Sequence, residues 1–202
     1  MLTALAAYWL AYCFIHSFLA ADGVKEAARS RFREKYKYYR IGYNGLSTLL
    51  LVPAVIMEQK LSSPIYFEYH GALLILRVLL LGSGILLFMA GAKSYNMSEF
   101  LGLSQLSGSE TEGSFQNEGI LSVVRHPWYL GGILILWSRN LTPGTLTTNI
   151  ILTIYLIVGA FLEEKKLIRK FGKRYLDYRH AVPMLWFLLP AEGRMFHIQC
   201  SY

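Results

Sequence analysis

Two polar clusters interrupt an otherwise apolar chain of 202 residues, and their types and spacing suggest where chemistry is done. The first is Glu118-Gly119-Ile120-Leu121-Ser122-Val123-Val124-Arg125-His126-Pro127-Trp128-Tyr129. Pro127 suits the first position of a helix and biases His126 towards an extended backbone. The free amides of such a helix start, with Arg125 and His126 beside them, suit a carboxylate or phosphate. The plainer alternative is that Arg125 meets lipid headgroups while Trp128 and Tyr129 join an interfacial aromatic belt.

The second cluster is Glu163-Glu164, closing a long apolar run. Two carboxylates at the end of a span are costly unless partnered and oppose the helix-dipole preference. A bound cationic group or hydrogen-bond donor would supply the partner; so would Lys166 or Arg169 among solvated headgroups. Glu164, Ile168, Phe171, Tyr175 and Tyr178 then recur at helical spacing, with Lys165, Arg169 and Lys173 on the opposite side. That pattern predicts an interfacial helix with a basic outer face.

The elements that position these clusters are membrane helices. The chain is 54% hydrophobic and 16% charged, against about 25% charged in an average soluble domain. Its apolar residues fall in runs over 1–21, 42–57, 71–92, 127–138 and 145–162. About 20 residues at ~1.5 Å each span a bilayer core, so the first, third and fifth runs reach or approach the required length. The fourth is short and must tilt or pair with the fifth as a hairpin. The expectation is an all-α, polytopic membrane domain of five helices, followed by the interfacial helix.

The net charge of +7 sorts by side of the membrane. Seventeen Lys and Arg fall in the segments after the first, third and fifth runs, and only Lys60 and Arg139 in the alternate ones, with Arg77 inside the third run. The positive-inside rule places the N-terminus outside and the C-terminus in the cytoplasm. The excess charge thus reads as topology, and nucleic acid is not an expected partner. Arg77 should face the bundle or snorkel outward. A cleaved leader is the weaker reading of the first run, because no basic residue precedes it and Phe18 spoils a small-residue cleavage site.

Other signals are sparse. Cys13 and Cys200 lie on different elements and imply no disulfide, and Cys200 is one position too late for a prenylation box. Asn140-Leu141-Thr142 is a sequon close to the membrane. No His/Cys cluster has metal-ligand spacing, so no metal is expected.

The order Gly119, Arg125-His126-Pro127, Tyr129, Gly131, a hydrophobic hairpin, Glu163-Glu164, Leu167, Phe171-Gly172, Tyr175, Tyr178 and Val182-Pro183 resembles the membrane methyltransferase superfamily. That group contains isoprenylcysteine carboxyl, phospholipid and methanethiol S-methyltransferases. His16-Ser17, the basic loop after it, Tyr43 and Ser98-Glu99-Phe100-Leu101-Gly102-Leu103-Ser104-Gln105-Leu106 are similar to the methanethiol S-methyltransferase branch. The resemblance implies S-adenosylmethionine as methyl donor, met by Leu121, His126, Pro127, Trp128, Tyr129 and Glu163 or Glu164, with Tyr175 and Tyr178 closing over it. It implies a small thiol or lipophilic acceptor, made a thiolate by nearby positive charge, for which Arg125, His126 and His16 are candidates. Isoprenylcysteine carboxyl methyltransferases place an arginine one turn before the glutamates; here that stretch is Val158-Gly159-Ala160, which disfavours a prenylcysteine carboxylate. The alternatives are phospholipid methylation, an NADPH-dependent sterol-type reductase, or a non-catalytic transporter. A transporter would need polar residues at mid-bilayer and broken helices.

Overall fold

A computed structural model describes residues 1–107 and 115–185. Arg194 and Cys200 lie outside the described residues. Among those described, every regular element is a helix, and an antiparallel bridge pairs Phe67 with Leu141. The helices are α1 (Leu2–Ala20), α2 (Asp22–Phe32), α3 (Tyr39–Leu49), α4 (Leu51–Gln59), α5 (Leu73–Ser94), α6 (Met97–Leu101), α7 (Leu103–Leu106), α8 (Pro127–Trp137), α9 (Pro143–Phe171) and α10 (Lys173–Ala181), with 3₁₀ turns at Arg33–Tyr38 and Gly119–Ser122. The protein is thus an all-α polytopic membrane protein. Four segments are long and apolar enough to cross a bilayer: α1, the Asp22–Gln59 unit, α5 and α9. Helix α8, with 11 residues, is the short fifth.

Large apolar side chains such as Phe14 on α1, Leu86 on α5 and Ile154 on α9 are exposed, as expected of helices facing lipid rather than water. Arg77 is also exposed, on the second turn of α5, where its long stem allows it to snorkel. The second run breaks at Leu50 between α3 and α4. Pro53 lacks the N–H that the Leu49 carbonyl would receive, so the helix opens there. The Tyr8 hydroxyl donates to the Leu50 carbonyl at 2.8 Å.

Two helix pairs set the frame. Trp9 donates to Thr148 and His16 bonds Tyr155, both at 2.8 Å and both 139 residues apart. A constant offset means that α1 and α9 run parallel, as the first and fifth of five crossings must. Helix α8 lies antiparallel against both α5 and α9. A Cβ on Gly84 would come within 2.9 Å of the Gly131 carbonyl and 2.6 Å of Ile135, and one on Gly131 within 2.9 Å of the Gly84 carbonyl. Only glycines permit this backbone approach, the usual basis of tight helix pairing in lipid.

Because α8 is only about 16 Å long, other chain segments complete the bundle beyond it. Arg139 donates to Glu58 at 2.7 Å and also to Asn149. Tyr69 donates its hydroxyl to the Trp137 carbonyl at 2.6 Å and its N–H to the Asn140 side chain at 3.2 Å. The sequon asparagine is thereby committed to an internal bond.

The expected interfacial helix differs from the one observed. Helix α9 continues through Phe171, well past its apolar stretch, and the chain then turns at Gly172, whose φ of 56° suits glycine, into α10. Glu163 and Glu164 therefore lie inside a helix rather than at its end, and the dipole argument does not apply to them.

Candidate functional site

The segment between α5 and α8 meets the return from α10 where α9 leaves its apolar stretch. The Arg125 and His126 amides donate to the carbonyls of Pro183 and Met184 at 3.0 and 3.3 Å. This pairing fixes the start of α8 against the end of α10. The Pro at the first position of α8 needs no amide partner, in keeping with the sequence expectation.

Arg125 and Glu164 form the anchor. Arg125 Nε and Nη2 approach Glu164 Oε1 at 2.6 and 2.5 Å, with both side chains nearly inaccessible. Arg125 Nη1 donates to the Arg179 carbonyl at 2.8 Å and also to the Val182 carbonyl. All three guanidinium nitrogens are engaged, and Glu164 balances the charge. The positive charge that would have polarised a thiol is thus already paired, and Arg125 holds α10 to α9. Glu164 finds its partner in Arg125, not in Lys166, which bonds Asp22 at 3.0 Å.

Glu163 behaves differently. Its side chain is 41% exposed, with Oε2 3.8 Å from His126 Nδ1, and it faces a cavity of about 130 Å³. Tyr95, Phe115, Gln116, Leu121, Arg125, His126, Leu167, Phe171, Tyr175 and Tyr178 complete the wall. Of the residues expected from sequence, Leu121, Arg125, His126, Glu163, Tyr175 and Tyr178 meet here; Glu164 lies behind the wall. Pro127, Trp128 and Tyr129 do not line it. The Trp128 indole donates to the Phe88 carbonyl at 3.0 Å and fills the space left by Gly91 on α5. Tyr129 sits edge-on to His126 at 5.3 Å between ring centres, beside the Glu163 carboxylate. His16 is elsewhere, on α1, bonded to Tyr155 and Tyr43.

Leu167 and Phe171 belong to the motif, and Phe171 to the predicted stripe, but the resemblance assigns neither to the cofactor although they follow Glu163 at i+4 and i+8. The stripe that starts from Glu164 leaves out Leu167. Tyr95 carried only a weak signal, its place just after the third run. Phe115 is held by ring contacts to Phe171, Tyr175 and Tyr178 and by the Arg174 guanidinium over its face, none of which sequence spacing discloses.

His126 is held between the two glutamates, with Nδ1 3.8 Å from Glu163 Oε2 and Nε2 3.4 Å from Glu164 Oε1. A buried polar atom at the cavity, the Tyr175 hydroxyl, lacks a hydrogen-bond partner. Tyr178, by contrast, donates to the Leu121 carbonyl at 2.5 Å and so holds the 3₁₀ turn. Burial pushes the Tyr178 hydroxyl up to about 12 and raises Tyr175 and Tyr95 as well, so all three remain protonated in neutral solution. A half-exposed carboxylate and an unpaired phenol suit a ligand bearing a cation and hydroxyl groups. Among the described residues no group of three or more His, Cys, Asp or Glu side chains is arranged to hold a metal ion.

No family model matches the chain, and no solved structure does. Curated relatives do. The chain is 32% identical over 152 residues to methanethiol S-methyltransferase 2 of Bradyrhizobium diazoefficiens, covering 72% of this chain and 58% of that protein. It is 39% identical over 75 residues to the methanethiol S-methyltransferase of Pseudomonas deceptionensis, covering 37% and 29%. To methanethiol S-methyltransferase 1 of Bradyrhizobium diazoefficiens it is 40% identical over 96 residues, covering 45% and 34%. The chain therefore matches less than two thirds of the length of each of these relatives. The sequence likeness agrees with the resemblance drawn from the motifs: over 72% of its length the chain is similar to a methanethiol S-methyltransferase.

Proposed function

We propose that the protein is a membrane methyltransferase that uses S-adenosylmethionine to methylate a small thiol or similarly lipophilic acceptor, with its donor site on the cytoplasmic face. The observation that carries the reading is the cavity against α9, where the half-exposed carboxylate of Glu163 accompanies the unpartnered Tyr175 hydroxyl. When bound, S-adenosylmethionine supplies a methyl group activated by a positively charged sulfur.

Glu163 would accept hydrogen bonds from the donor's ammonium or ribose hydroxyls. The Tyr175 hydroxyl would pair with one of its remaining polar groups, and His126, held between the two glutamates, would orient the Glu163 carboxylate. Leu121, Phe115, Leu167 and Phe171 supply an apolar wall that excludes water from the displacement. Arg125 and Glu164 keep that wall in register, since alignment is the main demand of an in-line transfer. Pro127, Trp128 and Tyr129 act indirectly, fixing the start of α8 on α5 and on α9.

The test is calorimetric binding of S-adenosylmethionine to the full chain in detergent. Glu163→Gln should weaken binding at least tenfold, the equivalent of about 1.4 kcal/mol, while shifting the unfolding temperature little. Wild-type protein that does not bind the donor, or Glu163→Gln that binds it normally, refutes the assignment.

A further inference from the structure

A second polar cluster lies inside the helical bundle, away from the donor cavity. The His16 ring on α1 bonds the Tyr155 hydroxyl of α9 through Nδ1 at 2.8 Å and the Tyr43 hydroxyl of α3 through Nε2 at 2.7 Å. Ser17 Oγ lies 3.0 Å from the same Tyr155 oxygen, and Ser17 is exposed. Tyr12 stacks on the ring from one turn earlier. The titratable groups facing His16 are thus Tyr12 from its own helix, Tyr43 from α3 and Tyr155 from α9. Polar groups drawn from three helices into an apolar span are costly, and such clusters usually mark function.

The wiring of this cluster is that of a proton relay. A neutral imidazole donates from one ring nitrogen and accepts at the other. Both partners here are hydroxyls, which take either role, so the tautomer can switch without any side chain moving. A proton taken at Nε2 can be passed on from Nδ1 through Tyr155 to Ser17, one turn from the end of α1.

Helix α9 connects this relay to the donor cavity. Tyr155, Gly159, Glu163, Leu167 and Phe171 recur every four residues and form one row that winds around α9. Their path starts at His16, passes Tyr129, whose ring sits where a Cβ on Gly159 would meet it at 3.1 Å, and ends in the cavity. From Tyr155 to Glu163 the axial separation is about 12 Å.

We propose that His16, poised by Tyr155, Tyr43 and Ser17, is the general base that deprotonates a thiol arriving from the bilayer. This rests on the methyltransferase reading above and adds an acceptor side to it. The thiol S–H proton goes to the Tyr43 oxygen as the Tyr43 hydroxyl passes its own proton to His16 Nε2. The freed sulfur electron pair forms a bond to the methyl carbon as the carbon's bond to the donor sulfonium breaks, leaving two neutral thioethers. The proton from His16 Nδ1 then passes through Tyr155 to Ser17 and leaves at that end of α1.

The experiment compares two acceptors in the full chain: ethanethiol, which must lose a proton, and hydrosulfide, which is already ionised at pH 8. His16→Gln should lose about 100-fold in kcat with ethanethiol and less than about threefold with hydrosulfide. The ethanethiol deficit should shrink as pH rises towards the thiol's own ionisation. Tyr155→Phe and Tyr43→Phe should show the same acceptor selectivity with smaller losses, which keeps the test decisive if His16→Gln does not fold. Without any methyl donor, ethanethiol should shift the ¹⁵N ring signals of His16. Equal losses on both acceptors, no loss on either, or unmoved ring signals overturn the relay and mark the cluster as a packing contact. Calorimetry separates the two readings: these variants should bind S-adenosylmethionine normally, whereas failure of the wild type to bind it overturns the underlying function.

Discussion

Glu163 and Glu164 are neighbours of identical chemistry, and the structure gives them opposite roles that stability measurements can separate. Replacing Glu164 by Gln removes the charge that balances Arg125, whose guanidinium is nearly inaccessible and held at 2.5–2.6 Å. Breaking a buried pair by neutralising one partner costs about 3–5 kcal/mol, because the other charge stays uncompensated. For a chain of this size each kcal/mol shifts the unfolding temperature by about 2–4 °C, so the expected drop is about 6–20 °C. Glu163→Gln touches a 41% exposed side chain and should change stability by less than about 1 kcal/mol. The double variant Arg125→Met, Glu164→Leu should recover most of the loss, since no charge is left unpaired. It should still fall short by about 2 kcal/mol, because the Arg179 and Val182 carbonyls lose their donor. Thermal unfolding in detergent, followed by circular dichroism, reads all three variants. Equal destabilisation by the two glutamine substitutions, or a double variant worse than Glu164→Gln alone, would refute the division of roles.

Gly84→Leu or Gly131→Leu should force α5 and α8 apart and abolish folded protein on size-exclusion chromatography, whereas Gly82→Leu, which meets nothing within 4 Å, should be silent. Tyr178→Phe should cost about 1 kcal/mol through the lost bond to the Leu121 carbonyl and loosen the 3₁₀ turn without introducing a charge. The Tyr178 hydroxyl is pushed up to about 12 by burial, above the ordinary value near 10. Its contribution to stability is therefore complete below pH 10 and lost as pH rises to 12, which an ultraviolet tyrosinate titration run alongside unfolding will report.

The spans were readable because lipid demands continuous apolar runs, and the observed helices α1, α5 and α8 begin and end within two residues of those runs. The break at Leu50 was also readable in principle, since Pro53 removes a donor wherever it stands in a helix interior. Two things were hidden for one reason: they depend on partners far away in sequence. Glu164 meets Arg125 39 residues earlier, and nothing local distinguishes it from Glu163. Trp128 looked like a cofactor contact because it sits in the motif, yet its indole fits the gap at Gly91 on another helix. The continuation of α9 past its apolar stretch was marked only by Gly172, and a helix free to extend into the interfacial region has no compositional stop before it. His16 was visible as a polar residue in an apolar run. Its hydroxyl partners on α3 and α9 were not, because tyrosine near the membrane surface reads equally well as an aromatic belt.

The short α8 and its Arg139 also constrain how the chain enters the membrane. A helix of 11 residues ending beside an arginine is a poor insertion signal alone. The carboxylate that neutralises Arg139 is Glu58, made some 80 residues earlier during synthesis. The first two crossings must therefore already be seated when α8 emerges, and α8 and α9 enter together as a hairpin onto that surface. In that order of events the earlier segment that carries Glu58 is the scaffold on which α8 and α9 assemble.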